Sequence, residues 1–408
     1  MEETAVVTCF LRNGAAVLLF RRSEGVGSYS GRWGAVAGHA EGDPDAAARE
    51  EIAEEAGLAD AVSLVRRGDP FPVEDRDRGT RWLVHPYLFD CESREVTTNY
   101  ETAAHEWVHP TEIRRRDTVP DLWASYDAVR PTVETVRADE THGSAYLSLR
   151  AVEVLRDEAA IADDWDAVAE TARELRAARP SMTAARVRVD RTMARADRTP
   201  AAVERAARSV LDDAVDADER AAEAAARRLD GTVATLSRSG TVRTALERAV
   251  PDAALLPESR PGREGVAVAE SLAEAGLDVT LTSDAALPGL LDGADAALVG
   301  ADAVRPGGAV VNKVGTYPLA LAADRAGIPL FAVCARDKIG SGGGDAGTAP
   351  DIYDGEAALT VENPLFERVP PDLVTVVTED GALDADDVRA VAAEHRALAD
   401  WDTDRDAQ

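Results

Sequence analysis

Apolar positions change their period twice along this chain. Residues 4–12 and 15–21 are two short, dense apolar runs separated by Asn13-Gly14, a pair that favours a tight hairpin turn, and 81–90 is a third run with Pro86 inside it. Between them, the Ala- and Glu-rich stretch from Asp45 to Ala56 stops at Gly57, which predicts a helix closed by glycine. This part reads as a mixed α/β unit closing near Trp107 to Ile113. Residues 117–141 hold charges, two prolines and apolar residues at helical spacing, and read as a connecting helix or linker. From Gly143 to about Arg228 apolar residues recur every third or fourth position, with breaks at Pro180 and Pro200, so a series of helices is expected.

The period then shortens. Apolar runs at 232–236, 253–256, 278–282, 296–299, 309–311, 329–334 and 373–377 alternate with helical stretches at 241–249, 263–275 and 317–326. Strands separated by helices of that length require right-handed crossovers, hence a mostly parallel sheet covered on both faces. The fold class expected is therefore α/β, with modules at 1–116, 142–229 (helical) and 230–400 (Rossmann-like), and 117–141 connecting the first two. A chain of 408 residues exceeds what a single core supports, which agrees with that division.

Charge narrows the function. Seventy-five acidic residues face 45 basic ones, a formal net charge of -30, which repels phosphate backbones and anionic lipid. Direct nucleic-acid and membrane binding are not expected, and no apolar segment is long enough to span a bilayer. Of the basic residues only Lys313 and Lys338 are lysines. An acidic, lysine-poor, alanine-rich composition resembles that of halophilic archaeal proteins, whose surfaces work under strong screening. Cys9, Cys91 and Cys334 are odd in number and far apart, so no disulfide framework or thiolate metal cluster is implied. The expected location is the reducing cytoplasm.

Two constellations carry chemistry. In the first, Gly38-His39-Ala40-Glu41-Gly42-Asp43 leads into the predicted helix, where Glu51, Glu54 and Glu55 stand on one side at spacings of three and four. Like charges so placed repel unless a cation or water neutralises them, and hard oxygen ligands suit Mg²⁺ or Mn²⁺. The plainer reading is a solvated acidic face. The order strand, Arg21-Arg22, Trp33, glycine turn, acidic helix, Gly57 resembles the Nudix hydrolase family over about residues 4–115. That family's box is G-x5-E-x7-R-E-U-x-E-E-x-G-U, with U apolar. The resemblance implies a sheet between helices, hydrolysis of a nucleoside diphosphate derivative, and Glu51, Glu54 and Glu55 as metal ligands, Glu51 and Glu54 among the catalytic groups. Its left half departs from the box. The spacing Gly38-x4-Asp43-x6-Glu50 is two residues short, Asp43 replaces the first glutamate, and Glu50 stands where arginine is expected, beside Arg49.

In the second constellation, glycine-bearing stretches follow strands of the C-terminal half, where open parallel sheets bind ligands. Ser239, Gly240 and Thr241 open a helix whose free N–H groups attract phosphate. Arg260 offers a bidentate fork, and Lys313 and Lys338 offer point charges. Asp302 stands after Gly300-Ala301, as a site acid or as a helix cap. A lysine tying loop carbonyls together is the structural alternative for Lys313 and Lys338.

From about 142 to 383 the chain resembles the initiation factor 2B alpha/beta/delta family. That family includes regulatory subunits of a translation guanine-nucleotide exchange factor, ribose-1,5-bisphosphate isomerase and methylthioribose-1-phosphate isomerase. The stretches that carry the likeness include His142-Gly143-Ser144, Arg179-Pro180-Ser181-Met182, Glu258-Ser-Arg-Pro, Gly300-Ala-Asp, Asn312-Lys-Val-Gly-Thr-Tyr317 and Asn363-Pro-Leu-Phe366. The resemblance implies a homodimer, a small phosphorylated ligand such as a pentose phosphate, and an initiation factor as an alternative partner. It implies Asp302 as a catalytic aspartate and Arg179, Arg238, Asn312, Lys313 and Lys338 among the ligand-binding residues, with Ser239 to Thr241 as the phosphate loop. The isomerases also use a cysteine, whose place here is held by Ser237, which stands as a candidate catalytic residue with Asp302 although its hydroxyl is a far weaker acid than a thiol. The expected function is a Mg-dependent Nudix-type hydrolase fused to a sugar-phosphate or nucleotide-binding module. The alternatives are a non-enzymatic translation regulator and a sugar-phosphate isomerase.

Overall fold

The structure, a computed structural model, describes residues 2–25, 27–40, 42–76, 79–139, 141–341 and 352–407; Glu41 of the glycine turn lies outside them. The chain separates into two compact units, Met1–Thr132 with Arg156–Ala162, and Val133–Leu155 with Asp163–Gln408.

The first unit contains β1 (Glu2–Asn13), β2 (Ala16–Arg22), β3 (Trp33–Gly34), β4 (Val36–His39), α1 (Pro44–Ala56), β5 (Val62–Arg67), β6 (Phe71–Asp75), β7 (Thr80–Cys91), β8 (Thr102–Val108) and α2 (Leu122–Asp127). The order β3-β2-β1-β7-β5 forms the spine of a mixed sheet, with β4 on β1, β6 on β7 and β8 on β2. The pairing of β1 with β7 is parallel, from Glu2↔Thr80 to Arg12↔Asp90. Side chains alternate across a strand, and here both faces are covered. Val7, Cys9, Leu11, Tyr87 and Phe89 pack under α1 with Ala48 and Ile52. Phe10, Val17, Leu19 and Leu88 pack on the other face with Leu122, Tyr126 and Val129. Burial on both faces explains why β1, β2 and β7 read as continuous apolar runs. The strands β5, β6 and β8 give no such signal because they are largely exposed, with Pro72 in β6 and four exposed residues, Ala103 to Glu106, in β8.

Helix α1 is specified locally. Asp43 caps it by accepting the Asp45 N–H at 3.1 Å, Pro44 opens it, and Gly57 closes it at φ 68° with its N–H on Ala53 O. Burying Ile52 completely contributes roughly 2 kcal/mol and fixes which face meets the sheet.

The second unit begins with α3 (Val133–Ala138), α4 (Ser144–Ala159, its last turn counted with the first unit), α5 (Trp165–Ala178), α6 (Thr183–Arg195) and α7 (Pro200–Ala226). The last has Thr199 as its cap and Pro200 at its first position. Then follow β9 (Thr232–Ala234), α8 (Gly240–Ala249), β10 (Ala253–Pro257), α9 (Glu264–Glu274), β11 (Asp278–Thr282), β12 (Ala296–Gly300), β13 (Ala303–Val304), β14 (Val310–Lys313) and α10 (Thr316–Ala326). The unit ends with β15 (Leu330–Val333), β16 (Phe366–Val369), β17 (Thr375–Thr378), β18 (Gly381–Leu383) and α11 (Ala385–Ala397). The main sheet runs β11-β10-β9-β12-β15-β17-β18, parallel except for β18. Its two faces carry separate cores. Val233, Leu298 and Val333 pack with α7 and α8, while Ala234, Val299 and Ala332 pack with α10 and α11.

One predicted strand takes a different place. The run at 309–311 was expected in the parallel sheet but lies in β14, the centre of a three-stranded antiparallel sheet β13-β14-β16. The connection from β13 turns at Gly308, φ 86°, and is too short for a crossover, so an antiparallel hairpin is the accessible pairing.

Candidate functional site

In the first unit, the glycine turn and α1 border a cavity of about 710 Å³ lined in part by Arg22, His39, Glu51, Glu54, Glu55 and Glu101. Glu55 is buried and accepts a hydrogen bond from the Ala37 N–H at 3.2 Å. Burial, opposed by that hydrogen bond and reinforced by the Glu51 charge, pushes its carboxyl up to about 8. Burial and then the neighbouring Glu54, Glu101 and Glu50 charges also raise Glu51. Gly38 leaves room for the Glu51 carboxylate, which a Cβ there would displace from its present position. Glu101, unmarked in the sequence, is carried in by a turn in which the Asn99 side chain accepts its backbone N–H at 2.9 Å. Trp82 and Tyr29 line the same cavity, with the indole N–H donating to the Tyr29 hydroxyl at 3.1 Å.

The fit to a divalent cation rests on that donor set. Hard carboxylate oxygens on Glu51, Glu54 and Glu55, with a glycine making room for the first of them, suit Mg²⁺ or Mn²⁺. In their present rotamers, no three carboxylate, imidazole or thiol groups among the described residues converge to hold an ion. The departures from the box have local explanations: Asp43 serves as the helix cap, and Glu50 and Arg49 are exposed.

In the second unit the strand order reverses between β9 and β12, the switch point of a doubly wound sheet, where ligands bind beyond the strand ends. The loops after those strands carry Ser237 to Thr241 and Gly300 to Asp302. They approach closely: a Cβ on Gly300 would lie 3.0 Å from Ser239 Oγ. Ser239 caps α8, accepting the Val242 N–H at 3.4 Å, which leaves Gly240 and Thr241 in its first turn. Ser237 holds a left-handed φ of 62°, its N–H donating to Ser259 Oγ at 2.8 Å. Its hydroxyl donates to Glu264 Oε1 at 3.3 Å, and the Lys313 ammonium lies 2.5 Å from the same oxygen.

Asp302 accepts the Ser144 hydroxyl at 3.3 Å. Burial raises its carboxyl, opposed first by the Lys338 charge, then by the Ser144 hydrogen bond and by Lys313. Both lysines therefore stand near this acid. Lys338 also donates to Ala301 O at 2.6 Å, the carbonyl-tying role expected under the structural alternative. Asn312 is buried and donates to Thr316 Oγ1 at 3.0 Å, bracing the β14–α10 turn.

Other expected ligand residues are engaged elsewhere. Arg260 is exposed and pairs with Glu258 at 3.2 Å, Arg238 donates to Thr141 O at 2.8 Å, and Arg179 donates to Val136 O at 2.9 Å. Cys334, at the end of β15, is buried, and burial pushes its thiol up to about 12 despite the Lys338 charge. It offers no thiolate to replace the one lost at Ser237. Glu264 was missed because it lies within a helix-opening stretch of ordinary composition; its only sequence signal is the pair of glycines beside it, Gly262 and Gly265.

The folds and sites define a two-module class, in which an acidic Nudix-type cleft precedes a doubly wound module with cations at its switch point. Residues 2–129 match the NUDIX domain and residues 140–385 the Initiation factor 2 subunit family. The chain belongs to the Initiation factor 2 subunit family, with a NUDIX domain ahead of the family's own module. A ribose 1,5-bisphosphate isomerase of Haloferax volcanii is 31% identical over 285 residues, covering 62% of this chain and 88% of that one. One of Archaeoglobus fulgidus is 36% identical over 138 residues, 31% of this chain and 44% of that one. The solved translation initiation factor eIF-2B of Pyrococcus horikoshii OT3 has a TM-score of 0.52 and 25% identity, covering 62% of this chain and 94% of that chain. Among the described residues, no helix is long and apolar enough to cross a membrane.

Proposed function

We propose that this protein is a two-module enzyme whose front module hydrolyses a nucleoside diphosphate derivative with Mg²⁺ or Mn²⁺. The observation that carries this is the cavity faced by Glu51, Glu54, Glu55 and Glu101 beside Arg22. Glu51, Glu54 and Glu55 would hold the cation. When bound, it supplies neutralisation of the diphosphate and activation of water. Arg22 adds positive charge at the same wall, Glu101 is placed to accept a proton from water, and Trp82 and Tyr29 give an aromatic wall to the substrate's organic part. The front module comprises 1–116 completed by part of the connecting segment 117–141, whose Leu122, Tyr126 and Val129 share its core. The test is release of phosphate or nucleoside monophosphate from a panel of nucleoside diphosphate derivatives. Activity should require Mg²⁺ or Mn²⁺ and fall about 10²-fold or more in Glu54→Gln; equal rates in the mutant would refute the assignment.

The rear module, with its helical part at 142–229 and its Rossmann-like part at 230–400, binds a pentose phosphate at the switch point, as a homodimer in the cytoplasm. A second reading, sugar-bisphosphate isomerisation, is favoured by the likeness to ribose 1,5-bisphosphate isomerase over most of that enzyme's length. It is favoured also by Asp302, whose carboxyl burial raises against the nearby Lys338 and Lys313 charges. Incubation with ribose 1,5-bisphosphate should then yield the ketose bisphosphate, and Asp302→Asn should abolish it.

A further inference from the structure

We infer that Glu264 is the base of the isomerase site, acting where the thiol is replaced by Ser237; this rests on the isomerase reading of the rear module. A serine hydroxyl cannot serve as an anionic base near neutral pH without a helper, whereas a carboxylate is already ionised there. Glu264 stands where such a helper would: its Oε1 accepts the Ser237 hydroxyl at 3.3 Å.

The local structure is shaped to admit this carboxylate. Gly262 leaves space for it, since a Cβ there would collide with Oε2. Gly265 lets the first turn of α9 close onto the end of β10, since its Cβ would meet Pro257 O and Ser259 Oγ. Ser259 in turn accepts the Ser237 N–H at 2.8 Å, so Ser237 and the Glu264 turn are held by one residue. An ion pair to Lys313 needs only Oε1, at 2.5 Å; Oε2 is buried with no hydrogen-bond partner among the described residues. A carboxylate oxygen left in that state costs free energy and keeps its lone pairs open to a proton. The Lys313 charge acts on Asp302 as well, so the proposed base and this acid share one cation.

The proton bookkeeping closes with these groups. In a cyclic pentose 1,5-bisphosphate, Glu264 removes the proton from C2 while the C1–O4 bond breaks and Asp302 gives its proton to O4. The electron pair of the C2–H bond forms the C1=C2 double bond of an enol phosphate. Glu264 then returns its proton to C1 as O2 loses its proton to Asp302, giving the ketose with both carboxyl groups restored. Lys313 stabilises the negative charge that builds on the enol oxygen.

The experiment uses the full-length protein and ribose 1,5-bisphosphate deuterated at C2, following ketose formation and deuterium lost to water, with ligand-induced thermal shift as the binding readout. Glu264→Gln should lower kcat and label loss at least 10²-fold while keeping the thermal shift, and Glu264→Asp should recover part of the rate. Turnover by Glu264→Gln within tenfold of wild type would overturn the inference and leave the isomerase reading standing. Should Glu264→Gln not fold, full wild-type rates in Glu264→Asp, whose carboxylate is one methylene short, would overturn it equally. Wild-type protein that neither converts the substrate nor exchanges its C2 label would remove the isomerase reading, and the inference with it.

Discussion

Gly38 and Glu51 belong together. A methyl group at 38 would occupy the place of the Glu51 carboxylate, but what must yield is the tip of a flexible side chain rather than backbone. Gly38→Ala is therefore expected to leave the first unit folded while metal-dependent hydrolysis falls at least tenfold, checked by circular dichroism alongside the phosphate-release assay. Asp337 shows a different economy. Its carboxylate meets Arg188 at 2.9 Å and Arg191 at 2.5 Å, and Arg188 is fully buried. Burial pushes the Asp337 carboxyl up, but the two guanidiniums overcome that and hold it at about 2. A carboxyl lower in the folded than in the unfolded chain adds stability above its ordinary range near 4, and that contribution disappears as pH falls through about 2. Asp337→Asn is expected to cost about 3–5 kcal/mol at neutral pH by stranding a buried charge, and to flatten the acid limb of the stability curve, measured by denaturant unfolding at pH 7 and pH 3. Lys338 is the next residue, so the same change should also weaken pentose-phosphate binding.

Helix α1 could be read from its sequence because its signals are local: a capping aspartate, a proline at the first position, an Ala/Glu-rich body and a closing glycine. Asp43→Ala is expected to remove about 1 kcal/mol of stability from the first unit, seen as a lower denaturation midpoint with unchanged slope. The double-faced strands β1, β7 and β12 were equally legible, since burial on both sides leaves an uninterrupted apolar run. The exposed β5, β6 and β8 were not, because a strand held chiefly by ladder hydrogen bonds to a neighbour needs no apolar signature of its own. The run at 309–311 was recognisable as a strand, but its sheet was not, since pairing depends on the partner β16 more than fifty residues away. The candidate residues divide in the same way. Glu51, Glu54 and Glu55 follow from helical spacing, and the loops at Ser237 and Asp302 follow from their position after strands. Glu101 and Glu264 reach the clefts through turns whose geometry depends on tertiary contacts.

A formal charge of -30 repels itself across the whole surface. Raising KCl from 0.05 to about 1 M shortens the screening length to roughly 3 Å, so the melting temperature should rise by several degrees, as scanning calorimetry would register. Because the cavity at Glu51 lies in the first unit and the loops at Ser237 and Asp302 lie in the second, ligands should stabilise the units separately. Mg²⁺ with a non-hydrolysable nucleoside diphosphate should shift the transition of the first, and a pentose bisphosphate that of the second, with the former shift lost in Glu54→Gln. What the sequence alone determined was what short-range physics can write: helix caps, buried strands, the alternation of strand and helix, and the charge types at loop positions. The three-dimensional fold decided which loops meet. The reversal of strand order between β9 and β12 sets Ser237 and Asp302 around Lys313, and the close packing of α9 on β10 places Glu264 against Ser237. Such meetings depend on contacts between distant segments, which no local pattern of residues encodes.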